Sequence, residues 1–106
     1  MERVAVIGKL KPGAEARAED LIKEGPPFDP EGSGFERHAV FLSGKQIVFV
    51  FEGGRLDQLL HAVVGTPEVS TKLRDWEPLL EGMPTIAHSA YFWQRGNGCV
   101  EGSLPG

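Results

Sequence analysis

Residues 35–52 read FERHAVFLSGKQIVFVFE, and this stretch decides the fold. Two apolar runs flank a Ser-Gly-Lys turn at residues 43–45, a pattern that predicts a β-hairpin. A tight turn centred on Gly44 and Lys45 places Leu42 opposite Ile47 and, at the other end of the hairpin, Arg37 opposite Glu52. The register therefore settles which side chains share a face.

Both faces of this hairpin are apolar. Alternate residues of a strand lie on the same face, and we assign the bulkier set, Val40, Leu42, Ile47, Phe49 and Phe51, to the helices. The other face carries Phe35, Phe41, Val48 and Val50, with Arg37 and Glu52 as its one charged pair. Strands that are apolar on both faces need a cover on both. Because the helices supply one cover, we expect a second copy of the chain, in a homodimer, to supply the other.

The elements around the hairpin follow from periodicity and breaker residues. We predict a first strand over Arg3–Leu10 and a helix over Ala14–Gly25, where apolar residues recur at helical spacing. Residues 26–34 contain three prolines and form a loop. A final strand is predicted over Thr85–Gln94.

The second helix is predicted in two pieces. Its apolar stripe starts at Leu56 and is interrupted at Gly65. A new helix starts with Thr66 as N-cap and Pro67 in the first helical position, and Pro78 ends it near Glu77. The complete order is β-α-β-β-α-β, an α+β ferredoxin-like domain with a four-stranded antiparallel sheet over residues 1–94. Residues 95–106 are predicted to form a flexible, glycine-rich tail.

Composition excludes several classes of function. The chain has 106 residues, 25% of them charged, and a net charge of −4. Its 11 basic residues are scattered, which argues against nucleic-acid binding and against anionic membranes. No apolar run is long enough for a membrane span. The single cysteine, Cys99, has no disulfide partner within the chain, so a reducing cytoplasm is the expected location.

Three segments resemble the dimeric α/β-barrel superfamily. They are residues 61–69 (HAVVGTPEV), residues 77–84 (EPLLEGMP) and the aromatic end of the last strand, Tyr91-Phe-Trp93. The Thr-Pro helix restart and the Pro-Leu-Leu segment are similar to the antibiotic-biosynthesis monooxygenase branch. The opening VIGKLKPG, residues 6–13, is similar to the superfamily's first strand and turn, and the compact hairpin resembles the polyketide-cyclase branch.

This resemblance covers residues 3–94 and implies a fold more than an activity. It implies a homodimer with a pocket either between sheet and helices or inside the barrel that two sheets enclose. Oxygenation without a cofactor, haem degradation, cyclisation and plain ligand binding all occur on this fold. The haem-degrading branch uses an asparagine on the first strand, and Val4–Leu10 contains none.

His88 is the candidate for acid–base chemistry. It lies among apolar residues of the last predicted strand, near Tyr91. An imidazole in a dry pocket titrates close to neutral pH and suits proton transfer. The structural alternative is a partly buried histidine bonded to a backbone carbonyl.

The candidate substrate-binding residues come from two places. The charged pair Arg37 and Glu52, with Phe41 on the same face of the hairpin, could form the floor of a site in which Arg37 holds a carbonyl or carboxylate. The alternative is a simple cross-strand ion pair. Tyr91 and Trp93 alternate with small residues and could line a pocket. Trp76 continues a helical stripe, which makes it a core residue or, in an oxygenase, a platform for the substrate.

Other polar residues are interpreted as structural. His38 shares the helix-facing side of the hairpin, and His61 lies on a helix surface. No histidine or carboxylate spacing typical of a metal site is present, so we predict neither a metal nor a cofactor.

The preferred hypothesis is a homodimer that binds a small apolar or aromatic molecule, with cyclase-like chemistry in which His88 moves a proton and Arg37 polarises a carbonyl. The first alternative is a cofactor-independent monooxygenase. The second is a binding or assembly module without catalysis.

Overall fold

Four strands form one antiparallel sheet. The computed structural model describes residues 2–26, 28–29, 31–95 and 100–101. The sheet strands are β1 (Glu2–Lys9), β2 (Arg37–Leu42), β3 (Gln46–Gly53) and β4 (Thr85–His88), in the spatial order β2-β3-β1-β4. This is the predicted α+β ferredoxin-like arrangement, in which the first strand lies inside the sheet.

Three helices cover one face of the sheet: α1 (Glu15–Lys23), α2 (Leu56–Val64) and α3 (Pro67–Trp76). The buried core lies between the two layers and includes Leu10, Ala18 and Ile47, of which the last two are fully inaccessible. Leu56 at the start of α2 is also fully buried. The helix-facing side of the hairpin is therefore the one that the sequence predicts.

The hairpin register is confirmed residue by residue. Leu42 pairs with Ile47, and Arg37 pairs with Glu52. Ser43 closes the turn, because its backbone amide donates to the backbone oxygen of Gln46 at 2.9 Å and its hydroxyl accepts from the amides of Lys45 and Gln46.

The predicted start of the hairpin is wrong. Phe35 was expected in the strand, on the face away from the helices, but β2 begins at Arg37. Gly34 has a positive φ of 89°, which bends the chain just before the strand. The Phe35 ring consequently packs against Phe51 on the helix side, with 5.0 Å between ring centres.

The break in the second helix is confirmed. Gly65 caps α2, and the Thr66 hydroxyl accepts a hydrogen bond from the Val69 amide, as an N-cap does. Pro67 occupies the first turn of α3. The helix ends at Trp76 and continues as one 3-10 turn, Glu77–Leu79, which contains Pro78.

The predicted length of the last strand is also wrong, because the strand is shorter than Thr85–Gln94. β4 pairs with β1 only from Thr85 to His88, and the Ser89 amide adds one bond to the Arg3 oxygen. The last ladder pair is Val4 with His88, so β4 ends although Glu2 and Arg3 of β1 lie beyond that pair. The chain then forms β5 (Phe92–Trp93), which pairs with β6 (Val100–Glu101). The rest of the predicted tail lies outside the described residues, apart from Arg95.

We call the side of the sheet away from the helices the open face. Register places Ile7, Val48 and Phe41 in one row of this face, and Val50 lies two residues further along β3. Ile7, Val48 and Val50 are partly accessible, and Phe41 is 61% exposed. No helix within the described residues is long and apolar enough to cross a membrane.

Candidate functional site

A cavity of about 260 Å³ lies between the helix-facing side of the sheet and the three helices. We call it the sheet–helix cavity. Its floor includes Val6, Val40, Phe49 and Phe51, and its roof includes Leu21 of α1, Val63 of α2 and Val69 of α3. The ionisable side chains among its described lining residues are His38 and Lys72. Such a mostly apolar concavity with a few polar groups is typical of small-molecule sites.

His38 projects from β2 into the wall of this cavity and is partly buried. Its Nδ1 lies 3.0 Å from the backbone oxygen of Val50. Because a carbonyl oxygen only accepts, Nδ1 carries the proton in the neutral ring and Nε2 keeps a free lone pair. Burial lowers the pKa of His38, and the bond to Val50 offsets this shift only in part. The imidazole is therefore neutral at pH 7 and can act as a base.

Two phenylalanine rings contact His38, and a third, Phe35, packs against both of them. The Phe51 ring stacks on the imidazole, with ring centres 4.5 Å apart and planes at 22°. Phe28 lies 5.5 Å from His38 and also 5.5 Å from Phe35, so the loop between α1 and β2 closes this end of the cavity with aromatic rings. These ring contacts bury part of the imidazole and, together with the bond to Val50, fix the orientation of the ring.

Trp76 lies in the cavity wall at the end of α3. Its ring meets Phe49 edge to face, with 5.5 Å between centres and 88° between planes. Such a pair adds to the energy gained from burying both rings. Trp76 is thus both a packing residue and part of the surface that a bound molecule would contact.

Lys72 lies one helical turn before Trp76 in the cavity wall. Its Nζ contacts the Glu24 carboxylate at the C-terminal end of α1, so the pair joins α1 to α3. Arg17 lies 3.9 Å from the same carboxylate. The hydrogen bond from Lys72 is the main cause of the lowered pKa of Glu24.

A second concavity of about 360 Å³ lies on the other side of His38 and Phe28. Arg37, Glu31 and Glu36 also line it, which makes it more polar than the sheet–helix cavity. Arg37, a predicted substrate-binding residue, therefore lies near a depression, but not in the same one as Trp76.

Glu52 is bound by a different arginine from the one predicted to face it. Arg37 is its neighbour in the register, yet the ion pair forms with Arg3 of β1, whose Nε lies 3.0 Å from Glu52 Oε1. The Arg3 guanidinium also lies over the ring of Phe92, 3.2 Å from its centre. The acid thus joins β1 and β3 on the open face.

The other predicted site residues lie outside the sheet–helix cavity. His88 is exposed on β4 and is not among the described lining residues of either concavity. Tyr91 and Trp93 are 62% and 49% exposed beyond β4, and Phe41 lies on the open face. Of the predicted set, the structure places Trp76 in the cavity; the functional roles of the others stay predictions.

Two cavity residues were not predicted as site residues: His38 was interpreted as structural, and Lys72 was not considered. His38 shares a strand face with Val40, and Lys72 lies three residues after Val69 and four before Trp76, which places it beside the apolar stripe of α3. These spacings were the available signals. Among the described residues, no group of three or more histidine, cysteine or acidic side chains could hold a metal ion.

Comparison with solved structures shows the same fold. A NIPSNAP family protein of unknown function from Agrobacterium tumefaciens superposes with a TM-score of 0.65 at 18% identity, over 93% of this chain and 94% of that one. A candidate antibiotic biosynthesis monooxygenase from Chloroflexus aurantiacus superposes with a TM-score of 0.60 at 16% identity, over 92% and 98%.

A protein of unknown function from Nitrosomonas europaea gives a TM-score of 0.66 at 17% identity, over 82% of this chain and 84% of that one. No protein-family model and no curated protein sequence gives a significant match. The predicted resemblance to the antibiotic-biosynthesis monooxygenase branch is therefore confirmed for the fold. Structural similarity at 16–18% identity shows a shared fold and no more.

Proposed function

We propose that this chain is a homodimeric α/β-barrel protein that binds a small apolar or aromatic molecule in the sheet–helix cavity. The observation that carries the proposal is the cavity itself, which is apolar except at His38 and Lys72. Burying apolar surface contributes about 25 cal/mol per Å², so such a cavity favours an apolar guest over water.

A cyclase-like proton transfer is the chemistry that fits this environment best. Cyclisation needs a base that takes a proton from a carbon next to a carbonyl, so that the carbon can attack a second carbonyl, and that then returns the proton to oxygen. A neutral imidazole with a free Nε2 lone pair can do this. We therefore assign the base to His38, with His88 as the competing candidate.

Binding is tested with 2-naphthamide, a neutral two-ring probe, by calorimetry and by the fluorescence of Trp76. The substitution Val63→Phe fills the cavity from α2, and we expect it to weaken binding by about tenfold or more, since pocket volume discriminates at this level. Ala62→Phe adds the same ring on the exposed side of α2 and should leave binding unchanged. Equal binding by Val63→Phe, or a wild type that binds neither 2-naphthamide nor the corresponding acid, 2-naphthoate, would contradict the proposal.

The base is tested with 2-tetralone, a bicyclic ketone whose acidic C1 protons exchange with deuterium. We expect the wild type to accelerate this exchange in D₂O, as followed by NMR, and His38→Gln to reduce the acceleration by about 100-fold or more. Loss of exchange in His88→Gln, with His38→Gln unaffected, would assign the base to His88. No acceleration by the wild type would favour a binding module without catalysis.

A cofactor-independent monooxygenase is the second candidate. It is favoured by Trp76 in the cavity wall and by two similar structures, from Chloroflexus aurantiacus and Caulobacter crescentus, that are described as candidate antibiotic biosynthesis monooxygenases. Oxygen uptake with 1,4-dihydroxynaphthalene in chelator-treated buffer tests it. Oxygen uptake that exceeds the rate of spontaneous oxidation, and that is lost when Trp76 is replaced, would support the oxygenase over the cyclase.

A further inference from the structure

Lys72 is a charged residue in the wall of an otherwise apolar cavity. Its side chain is 28% exposed, so the methylene stem covers apolar surface while the ammonium reaches the rim. There the ammonium contacts Glu24, which is 45% exposed. An exposed carboxylate is a partner that another anion can replace, because such ion pairs contribute little stability in water.

Glu24 would keep a partner after such a replacement. Arg17, which lies about two helical turns before Glu24 on α1, is 3.9 Å from Glu24 Oε2. A ligand anion could therefore take the Lys72 ammonium without leaving the glutamate isolated. The ligand's apolar body would lie on the floor residues Phe49 and Val40, inside the same cavity.

We propose that Lys72 selects the ligand, which is a small amphipathic carboxylic acid: its carboxylate replaces Glu24 at the Lys72 ammonium, and its apolar body fills the sheet–helix cavity. This inference rests on the proposed function. The cavity volume of about 260 Å³ is near the lower end of the roughly 300–1,000 Å³ of ordinary ligand pockets, which favours an acid of one or two rings.

A carboxylic acid and its amide have nearly the same shape and differ in charge, so comparing their affinities isolates the contribution of the carboxylate. The dissociation constants of 2-naphthoate and 2-naphthamide, and of octanoate and octanamide, are measured by calorimetry at pH 7. We expect at least one acid to bind about tenfold or more tightly than its amide, because a bond to a charged donor is stronger than a neutral one.

Two substitutions test the ammonium itself. Lys72→Met keeps the apolar stem and removes the charge. We therefore expect it to lower the affinity for the acid to that for the amide, and to leave the affinity for the amide unchanged. Glu24→Gln removes the competing carboxylate, and we expect the acid to bind about two- to fivefold more tightly. Opposite changes in the two variants identify the ammonium as the binding group, whereas equal weakening would mean that the α1–α3 contact merely holds the cavity together.

The control is Lys23→Met, which removes a lysine of α1 that is exposed and lies 3.8 Å from Glu19. It should preserve the preference for the acid. Equal binding of acid and amide by the wild type, or an unchanged preference in Lys72→Met, would overturn this inference while the proposed function stands. Failure of both amides and both acids to bind would overturn the proposed function and this inference with it.

Discussion

His38 is held in a setting that penalises its charged form. The stacked Phe51 ring and the nearby Phe28 shield part of the imidazole from water, and this partial burial is the main cause of its lowered pKa. The unfolded chain binds the proton near the ordinary pKa of about 6.5, whereas the folded chain binds it only at lower pH. Protonation therefore favours the unfolded state as the pH falls below about 6.5.

At the residue scale, we accordingly expect the free energy of unfolding to decrease between pH 7 and pH 5 more steeply in the wild type than in His38→Gln. Above pH 7 the histidine is neutral in both states and contributes no slope. Urea unfolding across this pH range gives the two curves, and an NMR titration of the His38 ring gives its pKa directly. Parallel curves, or a His38 pKa at or above its usual value, would contradict the argument.

At the scale of a single element, α3 depends on its N-cap residue, Thr66. The Thr66 hydroxyl accepts from the Val69 amide and donates to the Val63 oxygen at 2.8 Å, so it joins the end of α2 to the start of α3. We expect Thr66→Ala to lower the free energy of unfolding by about 1 kcal/mol, the usual cost of a lost N-cap. Thr66→Ser keeps the hydroxyl and should stay close to the wild type in urea unfolding; an equal loss in both would assign the effect to the threonine methyl group.

The elements also show what the sequence can predict. The helix break at Gly65 and the hairpin register were predictable because breaker residues and turn residues act locally. The end of β4 was not, because it depends on how far the pairing with the distant strand β1 extends. Phe35 was misplaced for a similar reason: alternation holds only inside a regular strand, and the bend at Gly34 lies just before it.

The candidate site was harder to predict than the fold. Trp76 follows from the stripe of α3, yet His38 and Lys72 become cavity residues only when the hairpin, α1 and α3 come together. Periodicity identifies a shared face within one element, but it does not tell how far two elements stand apart. That separation decides whether a face is packed solid or lines a cavity.

At the scale of the whole molecule, the open face carries the proposal of a dimer. Val48 lies in a partly accessible apolar row, and burying such a side chain is worth about 1.5–3 kcal/mol. In a twofold interface each substitution acts twice, so Val48→Asp should shift the protein towards monomer. Analytical ultracentrifugation at micromolar concentration should then give a mass near 11.5 kDa for the variant and about twice that for the wild type.

Gln58→Asp is the matched control, because it adds the same charge on an exposed position of α2. The Gln58→Asp variant should sediment with the same mass as the wild type. A wild type that sediments as a monomer would rule out the dimer, and a Val48→Asp variant that remains dimeric would move the interface away from the open face.

The position of β1 inside the sheet has a consequence for how the chain folds. β1 pairs with β3 on one side and with β4 on the other, and both partners follow much later in the chain. Contacts between such distant segments slow folding, because long loops must close before the pairing is gained. During synthesis the apolar strand that ends at Lys9 can therefore pair along one edge once Gly53 has been made, but its other edge stays unpaired until His88 has followed.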